Sequence, residues 1–485
     1  MDVGGAMEAP TALCAAFDEY AESGVRNNCL RGVQWSPDGA CLLTASEDNH
    51  LRIFNLPADA AGGRIDDDGG AARGTAREEL RVEVDVREGD SIYDYCWYPL
   101  MDSSEPGTCA VVSASRDHPT HLWDAYDGRL RASYAAYNHL DEVVAAHSAV
   151  FEPSGTRLYC GFERCIRIFD VCRPGRQCET RPTAATRKAR EGQRGIISTI
   201  AFAPDWSGLY AAGSFGGTVG LYAESAPGCI AVLGGHTGGV TQLRFSPDGR
   251  HLFSGARRDG RILCWDVRNT CTVLGAYERA APTNQRIGFD VTSDGGALIT
   301  ASADGRVLAF DVRAATSSED GTAGGGSDGG VEPAVLLTHA DATSAAELHP
   351  SLNLLAVSVG QRHFDRTRGG GGRRAKRRAV AEAEGESDES SSEGAVSIEE
   401  NGFVVWRLPQ LPSGDAAGGG SVHVDDAEDG AGVDASGPDE AAGATGVRGG
   451  ADAAPSGAAP GQDELEDELD RARARLLATP CLDLS

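Results

Sequence analysis

No stretch of 18 apolar residues occurs in this chain, and no apolar segment opens it. A membrane span and a secretory leader are therefore not expected. Paired cysteine spacing is also missing. The 13 cysteines are odd in number and irregularly placed, and Cys41, Cys96, Cys160 and Cys264 fall inside strand-like segments. They read as reduced thiols filling the core of a cytosolic or nuclear protein. Cys160, Cys165, Cys172 and Cys178 lie close together but form no CxxC pair, so no metal is expected. HExxH and EF-hand patterns are absent. The glycine runs at residues 324–326, 369–372 and 418–420 lack the strand–loop–helix setting that cradles phosphate. Neither an enzyme nor a cofactor is expected. A surplus of basic charge is missing as well. The net charge is −28, which argues at first against nucleic acid.

What is present is a repeat. Seven times a short apolar strand ends in an aromatic residue followed closely by a polar one: residues 51–56, 121–125, 166–171, 219–223, 262–267, 307–312 and 403–408. This is the signature of WD repeats, and it predicts an all-β, seven-bladed β-propeller. The fifth copy, residues 233–267, is the fullest. Gly235-His236 opens it, an inner strand follows at 240–245, and Pro247-Asp248-Gly249 makes a turn. Strands at 252–256 and 262–267 complete it. In this type of repeat His236, Ser254, Asp259 and Trp265 form a structural tetrad that ties turns to strands. Degraded copies of the turn recur at residues 35–39 and 151–155. Copies of the second strand and its exit recur at 44–48, 113–117 and 300–304.

The aromatic positions lie 43 to 53 residues apart through the middle of the chain, with gaps of 69 and 96 at the two ends. A plain repeat takes about 40–45 residues. Insertions at 57–79, 173–194, 314–330 and 363–395 account for the excess. The expected organisation is a propeller over residues 26–409, preceded by an N-terminal segment, 1–25. No strand follows residue 408, so the outer strand of the last blade is expected from the N-terminus, around residues 12–20. That would remove an exposed sheet edge. Residues 410–485 read as a disordered acidic tail, with 16 acidic and 4 basic residues. Within it, residues 463–477 carry a possible short helix with an apolar stripe of Leu465, Leu469, Ala472 and Leu476.

Local charge departs from the global balance. Residues 173–194 hold seven bases against two acids, a local +5 on what reads as one interblade connection, either a solvated loop or a phosphate-contacting patch. Arg373, Arg374, Lys376, Arg377 and Arg378 form a compact cluster that fits nuclear import. Ser387 and Ser390 to Ser392 follow among acids and suit an acid-directed kinase.

Several blocks go beyond generic repeat consensus. They are residues 88–101 (EGDSIYDYCWYPLM), 131–148 (RASYAAYNHLDEVVAAHS), 195–202, 233–243, 253–259, 283–290 and 349–362. Together they resemble the telomerase Cajal body protein family of WD-repeat RNA chaperones. The resemblance implies binding of the CAB box, a short loop element of small Cajal body RNAs and telomerase RNA. It implies escort of these ribonucleoproteins to Cajal bodies in the nucleus. Its implied partners are H/ACA ribonucleoprotein and telomerase components, and the cytosolic chaperonin for folding. A monomer with no membrane contact is expected.

Single-stranded RNA loops are read by stacking and by hydrogen bonds to base edges. The candidate RNA-binding residues are Arg116, His118, Asn138, His139, Arg187, Lys188, Arg190, Arg257, Arg258 and Arg286. Arginines after second strands are favoured, because those loops open on a propeller face. Tyr93, Tyr95 and Trp97 lie along one inner strand, where core packing competes with stacking on RNA. A different reading attaches to Trp265-Asp-Val-Arg268 and Phe310-Asp-Val-Arg313. These resemble the DxR boxes of WD-repeat substrate receptors of cullin ubiquitin ligases. A protein-only scaffold is a third reading.

Overall fold

The computed structural model describes residues 9–362 and 401–409, apart from positions 22, 24, 26, 59, 61–77, 185–191, 270–272 and 314–330. The import cluster at 373–378, the insertions at 314–330 and 363–395, and the tail with the helix expected at 463–477 lie outside the described residues. No described helix is long and apolar enough to cross a membrane.

Seven antiparallel sheets follow one another along the chain and form a WD-repeat β-propeller. From the inner strand outward, the first blade is Leu30–Trp35, Cys41–Ser46, His50–Asn55 and Val84–Arg87. The second is Ile92–Trp97, Ala110–Ser115, Thr120–Asp124 and Leu130–Tyr134. The third is Ser148–Phe151, Arg157–Phe162, Cys165–Asp170 and Glu179–Pro182. The fourth is Ile197–Phe202, Leu209–Ser214, Thr218–Ala223 and Ala226–Gly234. The fifth is Val240–Phe245, His251–Ala256, Arg261–Asp266 and Val273–Glu278. The sixth is Phe289–Val291, Ala297–Ala301, Arg306–Asp311 and Ala334–Thr338. The seventh is Thr343–Leu348, Leu354–Val359, Gly402–Arg407 and Thr11–Ala16.

Neighbouring blades cover both faces of each second strand. Cys41–Ser46, Ala110–Ser115 and Leu354–Val359 are accordingly buried at every position. Such strands read as continuous small apolar runs rather than alternating ones. The aromatics that end the third strands fill the wedges between blades. Phe54, Phe169, Tyr222, Trp265 and Phe310 are all buried, and Phe54 meets Phe403 of the seventh blade edge-on, centroids 5.0 Å apart.

Closure is made by Thr11–Ala16, antiparallel to Gly402–Arg407, from Thr11 opposite Arg407 to Ala16 opposite Phe403, with one register shift between Ala12 and Cys14. The strand stops short of Tyr20. Asp18–Ala21 is one helical turn, and the buried Tyr20 hydroxyl shares a 2.7 Å hydrogen bond with Thr44 of the first blade. The described end of the 57–79 insertion adds a second clasp. Glu78–Glu79 pairs parallel to Cys14 and Ala15, and Glu79 Oε1 accepts the backbone N–H groups of Phe17 and Asp18 at 2.5 and 2.9 Å.

One expectation is corrected here. Residues 173–194 are not a single basic connection, because the outer strand Glu179–Pro182 runs through them. Arg181 sits in that strand, buried, bonded to Glu179 and to the carbonyls of Ala223 and Glu224. Outer strands have one open side and need no apolar alternation, so a strand reading Glu-Thr-Arg-Pro carries no hydrophobic signal.

The tetrad position is filled differently from blade to blade. In the fifth, His236 Nε2 lies 2.8 Å from Ser254 Oγ and Nδ1 lies 3.2 Å from Asp259, while Trp265 Nε1 donates to Ser254 at 2.9 Å. In the second blade the buried Glu88 takes the histidine's place. Ser113 and Ser115 donate to it, and His121 Nδ1 and Trp123 Nε1 also contact it, at 3.2 and 3.1 Å. Gln193 bonds Tyr222 in the fourth blade, and Arg279 bonds Thr300 in the sixth. Burial pushes the Glu88 carboxyl up, but His121 and the two serines outweigh it and hold it below the usual range. A depressed carboxylate stabilises the fold above its unfolded pKa, and that contribution is lost as pH falls through the folded one. Glu88→Gln should therefore lower stability at neutral pH by about 1–3 kcal/mol. It should also flatten the acid limb of a stability–pH curve. Denaturant unfolding from pH 3 to 7 checks both, and parallel curves for variant and wild type would contradict the assignment.

Candidate nucleic-acid interface

Strand alternation divides the propeller's connections between two faces. Turns between second and third strands share a face with the connections from one blade to the next. The other turns lie on the opposite side. Hydrogen bonds knit the first face together: Arg116 N–H to Ser91 O, Thr183 N–H to Arg164 O, Arg257 N–H to Gly239 O and Arg258 N–H to Thr283 O, all 2.9–3.0 Å.

Every described candidate lies on this face. Arg116 and His118 are in the second blade's turn, Arg257 and Arg258 in the fifth blade's. Asn138 and His139 sit on the connection from the second blade to the third, and Arg286 on that from the fifth to the sixth. The described ends of the connection from the third blade to the fourth, at Thr183 and Gly192, also lie on this face. Arg187, Lys188 and Arg190 lie outside the described residues.

The side chains differ in what they have free to offer. Arg116 is exposed and donates to the Tyr93 hydroxyl at 3.2 Å. Among the described residues it pairs with no carboxylate, and neither do Arg257 and Arg258. On the opposite face Arg129, Arg131, Arg173, Arg250, Arg268 and Arg313 each pair with an aspartate, at 2.7 to 3.9 Å. His139 is exposed at the end of a small hairpin, Ala136–Tyr137 with Val143–Val144.

Three candidates are committed elsewhere. Asn138 closes the hairpin turn, accepting from the N–H groups of Leu140 and Glu142 and donating to the Glu142 carboxylate at 2.9 Å. His118 places Nδ1 2.6 Å from its own turn's carbonyl at Arg116, and a Cβ on Gly89 would fall 2.3 Å from its ring. Arg286 turns into the central channel and pairs with Asp94 at 3.1 Å. These three shape the surface rather than reach out from it.

The inner-strand aromatics separate cleanly. Tyr95 and Trp97 are buried at 5% and 7% exposure and belong to the core. Tyr93 is half-buried at the rim and stacks on His147, ring centroids 4.9 Å apart and 22° from parallel. Burial lowers the His147 pKa, so the imidazole is neutral at pH 7. Tyr93 and His147 thus form a stacked platform, with the Arg116 cation hydrogen-bonded at its edge. Beside it, Arg176 lies over the Tyr137 ring at 4.4 Å and pairs with Asp141 at 2.6 Å, bracing the hairpin. His147 was not among the sequence candidates, and Arg176 entered only as one base of the 173–194 run. The only sequence cue to His147 is its place at the end of the 131–148 block.

A central channel of about 1400 Å³ opens through the ring. Within it, Asp94 and Arg286 face Arg244, Asp290 and Glu347. Arg244 pairs with Asp290 at 2.8 Å. Burial, reinforced by Asp290 and opposed by Arg244, pushes the Glu347 carboxyl up to about 8. A separate shallow groove of about 470 Å³ lies between the fourth and fifth blades, under Phe215, Arg257, Arg258 and Asn284. No cluster of three metal-ligating side chains occurs among the described residues.

Comparison with known proteins fits this architecture. The model for the WD domain, G-beta repeat, matches residues 21–55 and 227–266. Telomerase Cajal body protein 1 of Mus musculus is 45% identical over 358 residues, covering 74% of this chain and 63% of the relative. The chain belongs to the telomerase Cajal body protein family. Telomerase Cajal body protein 1 of Homo sapiens is 46% identical over 358 residues, covering 73% of this chain and 61% of the relative. The Drosophila melanogaster homolog is 35% identical over 383 residues, with 78% and 65% covered. The chain spans less than two thirds of the length of these members of the telomerase Cajal body protein family.

Proposed function

We propose that the face carrying Arg116, His139, Arg257 and Arg258 binds single-stranded RNA loops. Its ligand is the CAB box of small Cajal body RNAs and telomerase RNA, and the protein escorts these ribonucleoproteins to Cajal bodies without catalysing a reaction. The observation that carries this reading is the Tyr93–His147 stack with Arg116, which pairs with no described carboxylate, at its edge. Unstacked bases lie on such rings, and free guanidinium groups take phosphate. The names of the family's members, which join telomerase to the Cajal body, agree with it. On this reading the partners are H/ACA ribonucleoprotein and telomerase components, the cytosolic chaperonin assists folding, and the working form is a monomer.

The test is binding of an RNA hairpin with a matched or scrambled loop at several salt concentrations. Arg116→Ala should flatten the logarithmic salt slope by about 0.7, the value for one phosphate contact on a single strand. Tyr93→Leu keeps the apolar contact and should weaken the matched loop about tenfold, the scale of one lost base stack. Arg187, Lys188 and Arg190 are proposed as further phosphate contacts, and neutralising all three should flatten the slope by about 2. Folded variants that bind both loops like wild type would move the RNA elsewhere. Recovery of a ubiquitin-ligase adaptor that survives ribonuclease would favour the DxR reading. Against that reading, Arg268 is tied to Asp266 at 2.9 Å and Arg313 to Asp294 at 3.1 Å.

Nuclear import is proposed through Arg373, Arg374, Lys376, Arg377 and Arg378. Changing the five to alanine should shift a fluorescent fusion toward the cytoplasm. An unchanged nuclear signal would assign import to another route.

A further inference from the structure

The groove between the fourth and fifth blades lies apart from the Tyr93 platform. Phe215 and Gly216-Gly217 come from the fourth blade's turn. Thr237 and Gly238-Gly239 come from the next connection, and Arg257 and Arg258 from the fifth blade's turn. Asn284 stands exposed at the rim.

Its floor is main chain. A Cβ at Gly238 would lie 1.8 Å from the Arg257 carbonyl oxygen, and one at Gly239 would lie 2.8 Å from the Phe215 Cα. Gly217 has φ +81°, and its Cβ would meet the Gly238 carbonyl at 3.1 Å. Only glycine brings these three segments so close, so main chain lines much of the groove between them.

Its wall is a prepared cation. The Arg257 guanidinium carbon lies over the Phe215 ring, 4.5 Å from the centroid, and the half-buried side chain lines the groove. Arg258 follows at φ +54°, in the left-handed region, and its exposed side chain pairs with no described carboxylate. A planar guanidinium held on one side by an aromatic ring is a stacking surface for a second planar group. Asn284 supplies both a donor and an acceptor at the rim.

We infer that this groove is a subsite for one unstacked nucleobase. The base stacks on Arg257, its edge faces Asn284, and Arg258 takes the adjoining phosphate. This rests on the proposed RNA reading and adds a second point of hold to it. It also separates two roles within one dipeptide: Arg257 stacks, and Arg258 contributes charge.

The test uses the full-length protein and an RNA hairpin carrying the loop element, with a series in which each loop nucleotide in turn is abasic. Arg257→Gln should weaken the intact hairpin about tenfold, the scale of one lost base stack. One abasic position should weaken wild type by a similar factor yet leave Arg257→Gln unaffected. Arg258→Asn suits the left-handed backbone, and it should flatten the salt slope by about 0.7 while keeping the abasic penalty. Phe215→Leu should reproduce the Arg257→Gln pattern if the ring acts by holding the guanidinium flat. Thermal midpoints matching wild type establish that each variant is folded. Abasic penalties that add to Arg257→Gln at every position would overturn the subsite while leaving the RNA reading intact. Wild type that fails to prefer the matched loop over a scrambled one would overturn both.

Discussion

Removal of residues 1–25 should abolish cooperative unfolding of the propeller, a loss of about 5–15 kcal/mol, the whole folding free energy of an ordinary domain. The deletion takes away the strand Thr11–Ala16 and with it the outer partner of Gly402–Arg407. Ala12, Cys14, Ala15, Ala16 and Tyr20 are all buried, so their pockets empty. Tyr20 also bridges blades, through its bond to Thr44 and its packing on Phe54, centroids 6.4 Å apart. Glu79 loses the N–H groups of Phe17 and Asp18 that its carboxylate accepts. Deletion of residues 414–485 should leave the thermal midpoint unchanged, because the closing strand ends upstream of them. Scanning calorimetry of both truncations decides it. Equal midpoints for full-length and N-truncated protein would count against closure by this strand.

Trp265→Ala should lower stability by about 3–5 kcal/mol, as truncations of large buried aromatics do. Trp265 is 3% exposed and packs with Leu263, Leu252 and Leu233. Its loss also removes the Nε1 donor to Ser254, in a network where His236 and Asp259 depend on one another. Burial lowers the His236 pKa, which keeps the ring neutral at pH 7. Burial alone would raise Asp259, but the N–H groups of Thr237 and Arg261, with the Arg261 and His236 side chains, hold it far below the carboxylate range. Both native forms bind protons less readily than their unfolded counterparts. Their contribution is therefore present at neutral pH and declines as pH falls, first below the ordinary histidine pKa and then below that of aspartate. His236→Ala should be destabilising. Unchanged stability with lost binding would make His236 a ligand contact instead of a structural one.

The blades were legible because each third strand ends in an aromatic that fills a wedge, which forces a regular signal into the chain. The tetrad was legible in the fifth blade alone. Elsewhere Glu88, Gln193 and Arg279 do comparable bonding with other chemistry, and no spacing rule reveals that. Glu179–Pro182 was hidden within a basic run because an outer strand has little to bury. Side-chain commitments across the ring were not legible either. Arg286 reads as an exposed loop arginine until Asp94, from the far side of the sequence, is brought beside it. His147 reads as the end of a small-residue block until Tyr93 lies against it. What the sequence did disclose was position. Candidates chosen because they follow second strands or link blades lie together, since antiparallel alternation sends all such segments to one face.

Joining the first strand to the last has a consequence for biosynthesis. The partner strand Gly402–Arg407 is made about 390 residues after Thr11–Ala16. At about 5–20 residues per second the interval is roughly 20–80 s. Through that time Thr11–Ala16 lacks its antiparallel partner and keeps an unpaired edge, and the completed blades form an open arc. Such edges pair readily with other chains. The nascent protein therefore needs shelter until Gly402–Arg407 has been made, and the ring can close only after that strand emerges.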